Sequence, residues 1–512
     1  MTKARKHWID SAIGFFSPEA EYRRTHFRRA TAILRKYEAA SSGRRTAGWK
    51  GLGGTSANAE IGPALHRVRD RVREQVRNNP YAGSAVSEIE SSVVGTGILS
   101  TAEVSGGGRL QDRFRGLWRD WCDSTDCDVD GVNNLYGLQA LMQRTVAESG
   151  ECLVVRRFRK KTDGYKLSVP LQIQVLEGDF IDTSKEASLE NGGMIVQGVE
   201  FDSKGRRVAY WLWNQHPGDR TFLNGKSGIL SERVDAKDIL HLYRVDRAGQ
   251  VRGISWGAPC VVRLHDLDTY EDAQLLRQRI AASFAGYVRD MEMPDGSAQA
   301  EQAFPSSIEA GAIEILPPGK TIEFPNLPQV SNDGHTERVL RSIAVGWGVT
   351  YEGISGDWSR VNYSSARMAM IKFKRNVTKW QWQLFIPRAC IPIFHWFVEA
   401  CDVGLGLPVS SSDTRAIWTP PRFELIDPTK EIPAIITGIR GGLQSLPEAM
   451  REQGFDPETQ LAEIKAFNDK LDKLGIILDS DPRRVMQSGI LQQPTAAELT
   501  PEAASSGKDS GK

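Results

Sequence analysis

The sequence predicts an α+β chain of several regions, with a strand-rich stretch set between helical ones. Three observations carry this. Ile61, Leu65, Val68, Val72 and Val76 recur at helical spacing early in the chain. From Cys152 the period shifts toward two. Tyr363, Ala366, Met370, Phe373, Val377, Trp380 and Leu384 alternate three and four apart, which at about 100° per residue is one apolar stripe of a helix. At 512 residues the chain exceeds the roughly 250–300 at which a single core stops growing.

In order along the chain, the first 50 residues carry twelve Lys/Arg against four Asp/Glu, and Ser41–Asn58 is rich in Gly, Ser and Ala, so residues 1–60 read as a basic, flexible arm. The helix from Ile61 carries Arg67, Arg69, Arg71, Arg73 and Arg77 between its apolar positions. Asn78-Asn79-Pro80 breaks it, and a second helix runs to about Val94. Further helices are predicted at Leu110–Cys122 and Leu135–Ser149. Strands are predicted at Leu171–Leu176, Met194–Phe201 and Arg207–Trp213, with Asp202-Ser203-Lys204-Gly205 as a hairpin turn, and strand with loop over Arg233–Val245.

Pro259 opens a predicted helix of some 30 residues reaching Val288, with Gly286 its one breaker. Met291–Pro328 is broken by prolines, and Ile313–Leu316 and Thr321–Phe324 are its best strand candidates. A helix resumes near Gly334, with Val339, Leu340, Ile343, Ala344 and Trp347 on one face. Gly348–Asn362 reads as an irregular loop. In the striped helix after it, Lys372, Arg375 and Lys379 fall opposite the apolar face, and Arg367 and Lys374 flank it. Pro387 and Pro392 are expected to kink this helix before it ends near Gly404. Three short helices follow, opened by Asp427-Pro428, by Ser445 with Glu448, and by Asp456-Pro457. The tail from about Gln492 has the composition of a disordered segment.

The formal net charge is +1, so any work on nucleic acid must come from local charge placement. Six scattered cysteines, Cys122, Cys127, Cys152, Cys260, Cys390 and Cys401, offer one close pair and no second pair to complete a zinc site; buried thiols in a reducing compartment are expected. Met1 to Tyr37 lacks the apolar core of a signal peptide, and no run approaches the ~18 apolar residues of a membrane span, which places the chain in cytoplasm or in something assembled there.

The search for chemistry returns little. Gly319-Lys320-Thr321 and Gly225-Lys226-Ser227 lack the upstream glycine of a phosphate loop, holding Glu314 and Arg220 there instead. Gly51-Leu52-Gly53-Gly54 has no strand before it. The eight histidines show no HExxH and no tight pairing in sequence. Asp266, Asp268, Glu271 and Asp272 could in principle hold magnesium for a nuclease, but read better as a solvated helix face. Asn376-Val377-Thr378 has a glycosylation pattern, but lies mid-helix. No catalytic residue, cofactor or metal is expected.

Several blocks, in this order, resemble the lambda-type tailed-phage portal family. They are Val76-Arg77-Asn78-Asn79-Pro80, Val93-Val94-Gly95-Thr96-Gly97-Ile98, Trp118 with Trp121-Cys122-Asp123, and Glu148-Ser149-Gly150-Glu151. Next come Val175-Leu176-Glu177, Gly198-Val199-Glu200, Gly205-Arg206, Ala209-Tyr210-Trp211, His216-Pro217 and His241-Leu242-Tyr243. The last are Gly249-Gln250-Val251-Arg252-Gly253-Ile254-Ser255-Trp256, Tyr351-Glu352-Gly353-Ile354-Ser355-Gly356-Asp357 and Asn362-Tyr363-Ser364-Ser365-Ala366-Arg367.

The resemblance implies a non-enzymatic ring subunit, typically one of twelve, at one vertex of a virion assembled in bacterial cytoplasm. The ring would pass double-stranded DNA, bind capsid and scaffold proteins, dock the terminase large subunit and then head-completion or tail adaptor proteins. It implies a portal fold: an α/β wing at 61–255, stem helices at 256–290 and 333–347, a clip at 291–332, a channel loop at 348–362, a kinked spine helix returning to the wing at 363–427, a helical crown at 428–475 and a tail at 476–512. The channel loop would present Gly353, Ile354, Ser355, Gly356, Asp357 and Trp358. DNA-channel candidates are Arg360, Arg367, Lys372 and Lys374, and clip candidates for motor or adaptor docking are Ile313, Ile315, Lys320 and Phe324. The competing readings are another head–tail connector protein and a nucleic-acid-processing enzyme.

Overall fold

The computed structural model describes residues 54–105, 107–159, 162, 164–219, 230–283, 287–290, 320–323, 333–425, 427–478 and 483. The chain divides after Glu60 into two units, and the larger one carries the elements discussed below. Most of the arm, nearly all of the clip stretch and most of the tail lie outside the described residues.

Helix α1 (Ala57–Asn78) begins four residues before its apolar stripe. Asn79 separates it from α2 (Pro80–Val93): its side chain accepts hydrogen bonds from the Tyr81 and Ala82 amides, and Pro80 takes the first helical position. Strand β1 (Leu99–Val104), α3 (Gly108–Asp123) and α4 (Leu135–Ser149) follow. Then comes the strand-rich part. β2 (Glu151–Phe158) is the middle strand of a three-stranded antiparallel sheet, flanked by β3 (Leu171–Glu177) and β9 (Ile239–Tyr243). A five-stranded meander joins β4 (Ala187–Ser188), β5 (Met194–Val196), β6 (Val199–Phe201), β7 (Arg207–Trp213) and β8 (Ser231–Asp235).

Here the structure corrects one expectation, refines a second and adds a sheet that the sequence did not announce. Met194–Phe201 is two strands, because Gln197 and Gly198 turn the chain with φ of 49° and 81°. Arg233–Val245 divides into β8 and β9 around a short 3₁₀ turn. β1 pairs antiparallel with β12 (Thr414–Thr419), a sheet with no signature in either short segment. The predicted hairpin between β6 and β7 is present, with Asp202 accepting from the Lys204 and Arg206 amides at 2.9 and 2.8 Å.

Helix α5 (Val261–Ser283) stops short of Val288, which belongs instead to β10 (Tyr287–Asp290). β10 pairs with β11 (Lys320–Glu323), setting Asp290 opposite Lys320, so a strand partner about thirty residues on outcompetes helix continuation. Helix α6 (Asp333–Trp347) packs on α5. The expected irregular loop contains α7 (Tyr351–Ser355), capped by Thr350. Helix α8 (Tyr363–Trp380) continues through a π-helical stretch, Gln381–Cys390, into α9 (Ile391–Glu399) and a second π-helical turn, Ala400–Gly404. Pro387 lies within the wider stretch, where i→i+5 bonding accommodates a residue with no N–H to give. This helical run from Tyr363 to Gly404 is long and apolar enough for a membrane span, contrary to expectation; most of its apolar window is buried in the core. Three helices close the described chain: α10 (Pro428–Arg440), where Asp427 makes no side-chain cap bond and turns to Thr429 and Lys430 instead, and α11 (Leu446–Glu452) and α12 (Pro457–Leu474), capped by Ser445 and Asp456.

The main core joins both halves of the chain. Trp118 and Trp121 of α3 stack at 5.6 Å between centroids, and Phe394 and Phe397 of α9 meet Trp118 edge-on at 5.1 and 4.8 Å. Trp256 lies 4.9 Å from Trp380, tying the start of α5 to α8. All six cysteines are buried, and burial raises the Cys127 thiol to about 12.

One polar cluster sits inside this core. Glu151 opens β2, and its carboxylate is fully buried. It accepts from Arg69 Nη2 of α1 at 2.6 Å, from Arg252 through Nε at 3.0 Å and through Nη2, from His241 Nε2 of β9 at 3.0 Å and from the Gly253 amide at 2.9 Å. Arg252 also donates to the Gln197 and Gly178 carbonyls, and Arg69 to that of Ser149. Asp179 pairs with Arg69 at 3.0 Å and with Arg73 at 2.7 Å. Gly150 makes the approach possible: its φ is 92°, and a Cβ there would collide with the backbone of Ile254 and Ser255.

Burial pushes the Glu151 carboxyl up, but Arg252, His241 and Arg69 outweigh it and hold the group well below the ordinary carboxylate range. Burial lowers His241 to about 4, against the pull of Glu151. His241 therefore stays neutral in the folded chain where an unfolded histidine, near pH 6.5, has taken its proton. Stability should fall as pH drops from about 6.5 to about 4, by roughly 3 kcal/mol for this group alone. Thermal melts across that window should show the loss, and His241→Asn should flatten it. Glu151→Gln should cost about 3–5 kcal/mol at neutral pH by leaving the buried Arg252 without its counter-charge, while Arg69 keeps Asp179, read by urea unfolding.

Candidate nucleic-acid interface

The basic positions of interest lie on α6, α7, the loop after it and α8. Gly348 ends α6 with φ of 81°, and its carbonyl accepts from Asn376 Nδ2 of α8 at 3.0 Å. Thr350 Oγ1 accepts from the Gly353 amide, and Gly356 closes α7 in the left-handed region. The following loop is organised by Asp357, which accepts from the Ser359 amide at 3.0 Å and from its hydroxyl at 2.6 Å; these bonds hold its carboxyl below the usual range. Asn362 and Ser365 then form a reciprocal capping box that starts α8.

Of the expected loop residues, Gly356, Asp357 and Trp358 are exposed, whereas Ile354 is buried against the core and is unavailable to any channel. The four basic candidates do not share one surface. Arg360 is fastened back to α6 by Glu337 at 3.1 Å, and the same carboxylate takes Arg341. Arg367 and Lys374, seven residues apart, share a flank of α8; Lys374 sits 5.4 Å over the Phe423 ring. Lys372, two residues before Lys374, is some 160° around the helix, beside a cavity of about 200 Å³ also lined by Val345, Tyr351 and Asn376. All four are exposed. Lys320 is in β11, while Ile313, Ile315 and Phe324 lie outside the described residues.

A wider signal was available in the sequence. From Trp358 to Val398 there is no carboxylate, while Arg360, Arg367, Lys372, Lys374, Arg375, Lys379 and Arg388 all fall within it. The apolar residues of this stretch fill the core, with Phe373, Val377, Trp380 and Leu384 buried, so the cations are left to the surface.

Other chemistry-bearing groups are accounted for locally. Glu177, Asp179 and His216 place ligand atoms within 4.8 Å of one another, but Arg73 already sits between the carboxylates at 3.0 and 2.7 Å. On α5, Asp266, Asp268 and Asp272 are exposed, and Glu271 is half-buried. Lys320 and Thr321 are paired in a strand rather than in a phosphate loop.

Among known proteins, the family described as phage portal protein, lambda family, matches residues 42–381. The chain is 27% identical over 473 residues to the probable portal protein of Halomonas phage phiHAP-1, covering 88% of this chain and 89% of that one. It is 22% identical over 471 residues to the portal protein of Escherichia phage N15, covering 78% and 83%. A chain in the virion of a native gene transfer agent particle aligns with a TM-score of 0.43 at 15% identity, over 79% of this chain and 95% of that one. This chain belongs to the lambda family of phage portal proteins.

Gly348 sets the angle between α6 and the elements after it. A Cβ at this position would lie 3.2 Å from the Trp380 ring on top of its left-handed backbone. Gly348→Ala should therefore cost about 1–3 kcal/mol, measured as a shift of the urea midpoint at unchanged slope.

Proposed function

We propose, taking membership of the lambda portal family as the premise, that the chain assembles into a closed ring of about a dozen copies at one capsid vertex. In this reading the ring passes double-stranded DNA during packaging and ejection, docks the terminase motor, and later holds the adaptor proteins that join head to tail. The strand-rich part before Trp256 is the wing, α5 and α6 are the stem, and residues 291–332 are the clip, with Ile313, Ile315, Lys320 and Phe324 as its docking candidates. The elements from Gly348 to Asn362 line the channel, α8 and α9 are the spine, and α10 to α12 are the crown. Assembly takes place in the host cytoplasm. The reading assigns the chain no reaction: the terminase supplies ATP hydrolysis.

The observation that carries the DNA-passage part is the carboxylate-free stretch from Trp358 to Val398. The segment itself holds out no negative charge to a polyanion; the carboxylates beside it are Asp357, which its own loop's Ser359 engages, and Glu337, which Arg360 and Arg341 engage. A polyanion moving past also meets few cations in any one place, because the helix spreads them around its circumference. Each neutralised phosphate adds affinity through counterion release, so a densely basic bore would act as a brake. Weak, dispersed contacts let duplex DNA slide, and bidentate readout of bases would be a hindrance. Arg360, Arg367, Lys372 and Lys374 are the positions assigned to the bore.

Negative-stain microscopy and native mass spectrometry should give rings of about twelve subunits with a central hole wide enough for duplex DNA. A chain that stays monomeric with scaffold protein present would overturn the ring. Replacing Arg360, Arg367, Lys372 and Lys374 together by alanine should leave the ring intact but change packaged DNA length or DNA retention. Normal packaging by that variant would remove these residues from the bore.

A further inference from the structure

Two helices leave a long face to solvent, and the two faces match. Along α8, Met368, Ile371, Arg375, Lys379 and Trp382 recur three or four residues apart, opposite the buried stripe of Phe373, Val377 and Trp380. Met368 is 69% exposed, Ile371 41% and Trp382 51%. This outward stripe is apolar at both ends and cationic between. Along α5, Val262, His265, Thr269, Asp272 and Leu276 recur in the same way, opposite the buried Leu264 and Leu267. Val262 is 60% exposed and Leu276 58%. Asp268 lies beside Asp272, so this stripe is apolar at both ends and anionic between. Each stripe spans the same number of residues, about 21 Å of helix.

Neither face is satisfied within its own subunit. Among the described residues, Arg375 and Lys379 make no ion pair, and neither do Asp268 and Asp272. Glu271, half-buried between the two aspartates, has its carboxyl pushed up by burial and then by them, as expected of an acidic patch with no cation nearby. Exposed Trp and Met with Arg are the composition of association surfaces rather than of free ones. Because the two faces differ and lie on different helices, pairing them is head-to-tail, the arrangement that closes into a ring when the rotation allows.

We propose that the outward face of α5 in one copy of this chain docks on the outward face of α8 in the next copy. The apolar ends would bury each other, while Asp268 and Asp272 meet Arg375 and Lys379 and fix the register. The proposal rests on the ring reading and names the surface that builds it. Of the four residues assigned to the bore, Arg367 and Lys374 lie on another flank of α8, and Lys372, seven residues before Lys379, lies at the edge of the docking face and is left unchanged by the test below.

Two charge-reversed chains test it: D268K/D272K, cationic on both faces, and R375E/K379E, anionic on both. All four positions are on the surface, and circular dichroism of each chain should match the parent. Each reversed chain alone should lose ring formation by native mass spectrometry, needing at least tenfold more protein to assemble. An equimolar mixture should restore rings, with even subunit numbers and the two chains alternating, because every contact is again between opposite charges. Ring formation by either chain alone at the parental concentration would overturn the proposal while leaving the ring reading intact. So would a mixture that fails to assemble. A parental chain that forms no ring overturns both.

Discussion

A carboxylate sealed inside protein is tolerated only if its lone pairs find donors and its charge finds an opposite, and Glu151 imposes that demand on the whole strand-rich part of the chain. Its donors come from α1, from β9 and from the segment leading to α5. Because Glu151 only accepts, His241 must present Nε2–H to it, leaving Nδ1 bare in the core. Arg252 in turn takes the carbonyls of Gly178 and Gln197, so the turns after β3 and β5 are pinned to the same guanidinium. Four separated pieces of chain thus share one electrostatic centre, and none can shift without uncovering a charge. Three of the blocks shared with lambda-type portals, around Glu148–Glu151, His241–Tyr243 and Gly249–Trp256, meet at this point. In this chain those three blocks specify a buried ion cluster.

This centre also orients what lies beyond it. Trp256 follows Arg252 by four residues and packs on Trp380, so the register of the hub is passed to the start of α5 and to the middle of the long helix. That helix carries two incompatible demands on one cylinder. Phe373, Val377 and Trp380 must stay in the core, and the cations between them must stay in water. The π-helical stretch near Pro387 lets the helix change phase after α8, so that Phe394 and Phe397 still reach Trp118.

Much of this was legible in the sequence where the signal is local. Asn79-Pro80, Ser445 and Asp456 announce helix starts through their own side chains, and Asp202 to Gly205 announces a turn. The stripe from Tyr363 fixes a face without reference to anything distant. What was not legible depends on remote partners. Arg69 reads as one arginine among five on α1, and only a glutamate 82 residues later makes it a core residue. β1 is too short to declare itself, and its partner β12 lies more than three hundred residues away. Val288 continues a helical pattern, yet it is claimed by a strand from beyond the proline-rich stretch. In the candidate site, sequence put Lys372 opposite the apolar stripe correctly. It could not show that Arg360 is anchored by Glu337, nor that Ile354 is buried.

The pairing of β10 with β11 has a consequence for how this lineage can change. Asp290 and Lys320 stand opposite each other in adjacent strands, so the two positions that flank residues 291–319 are held side by side. Two ends held in that way pass little of a change in the length between them to α5 and α6. Insertions or deletions there leave the strand pairing and the helices beside it in place, whereas a substitution at the Glu151 cluster uncovers a buried charge.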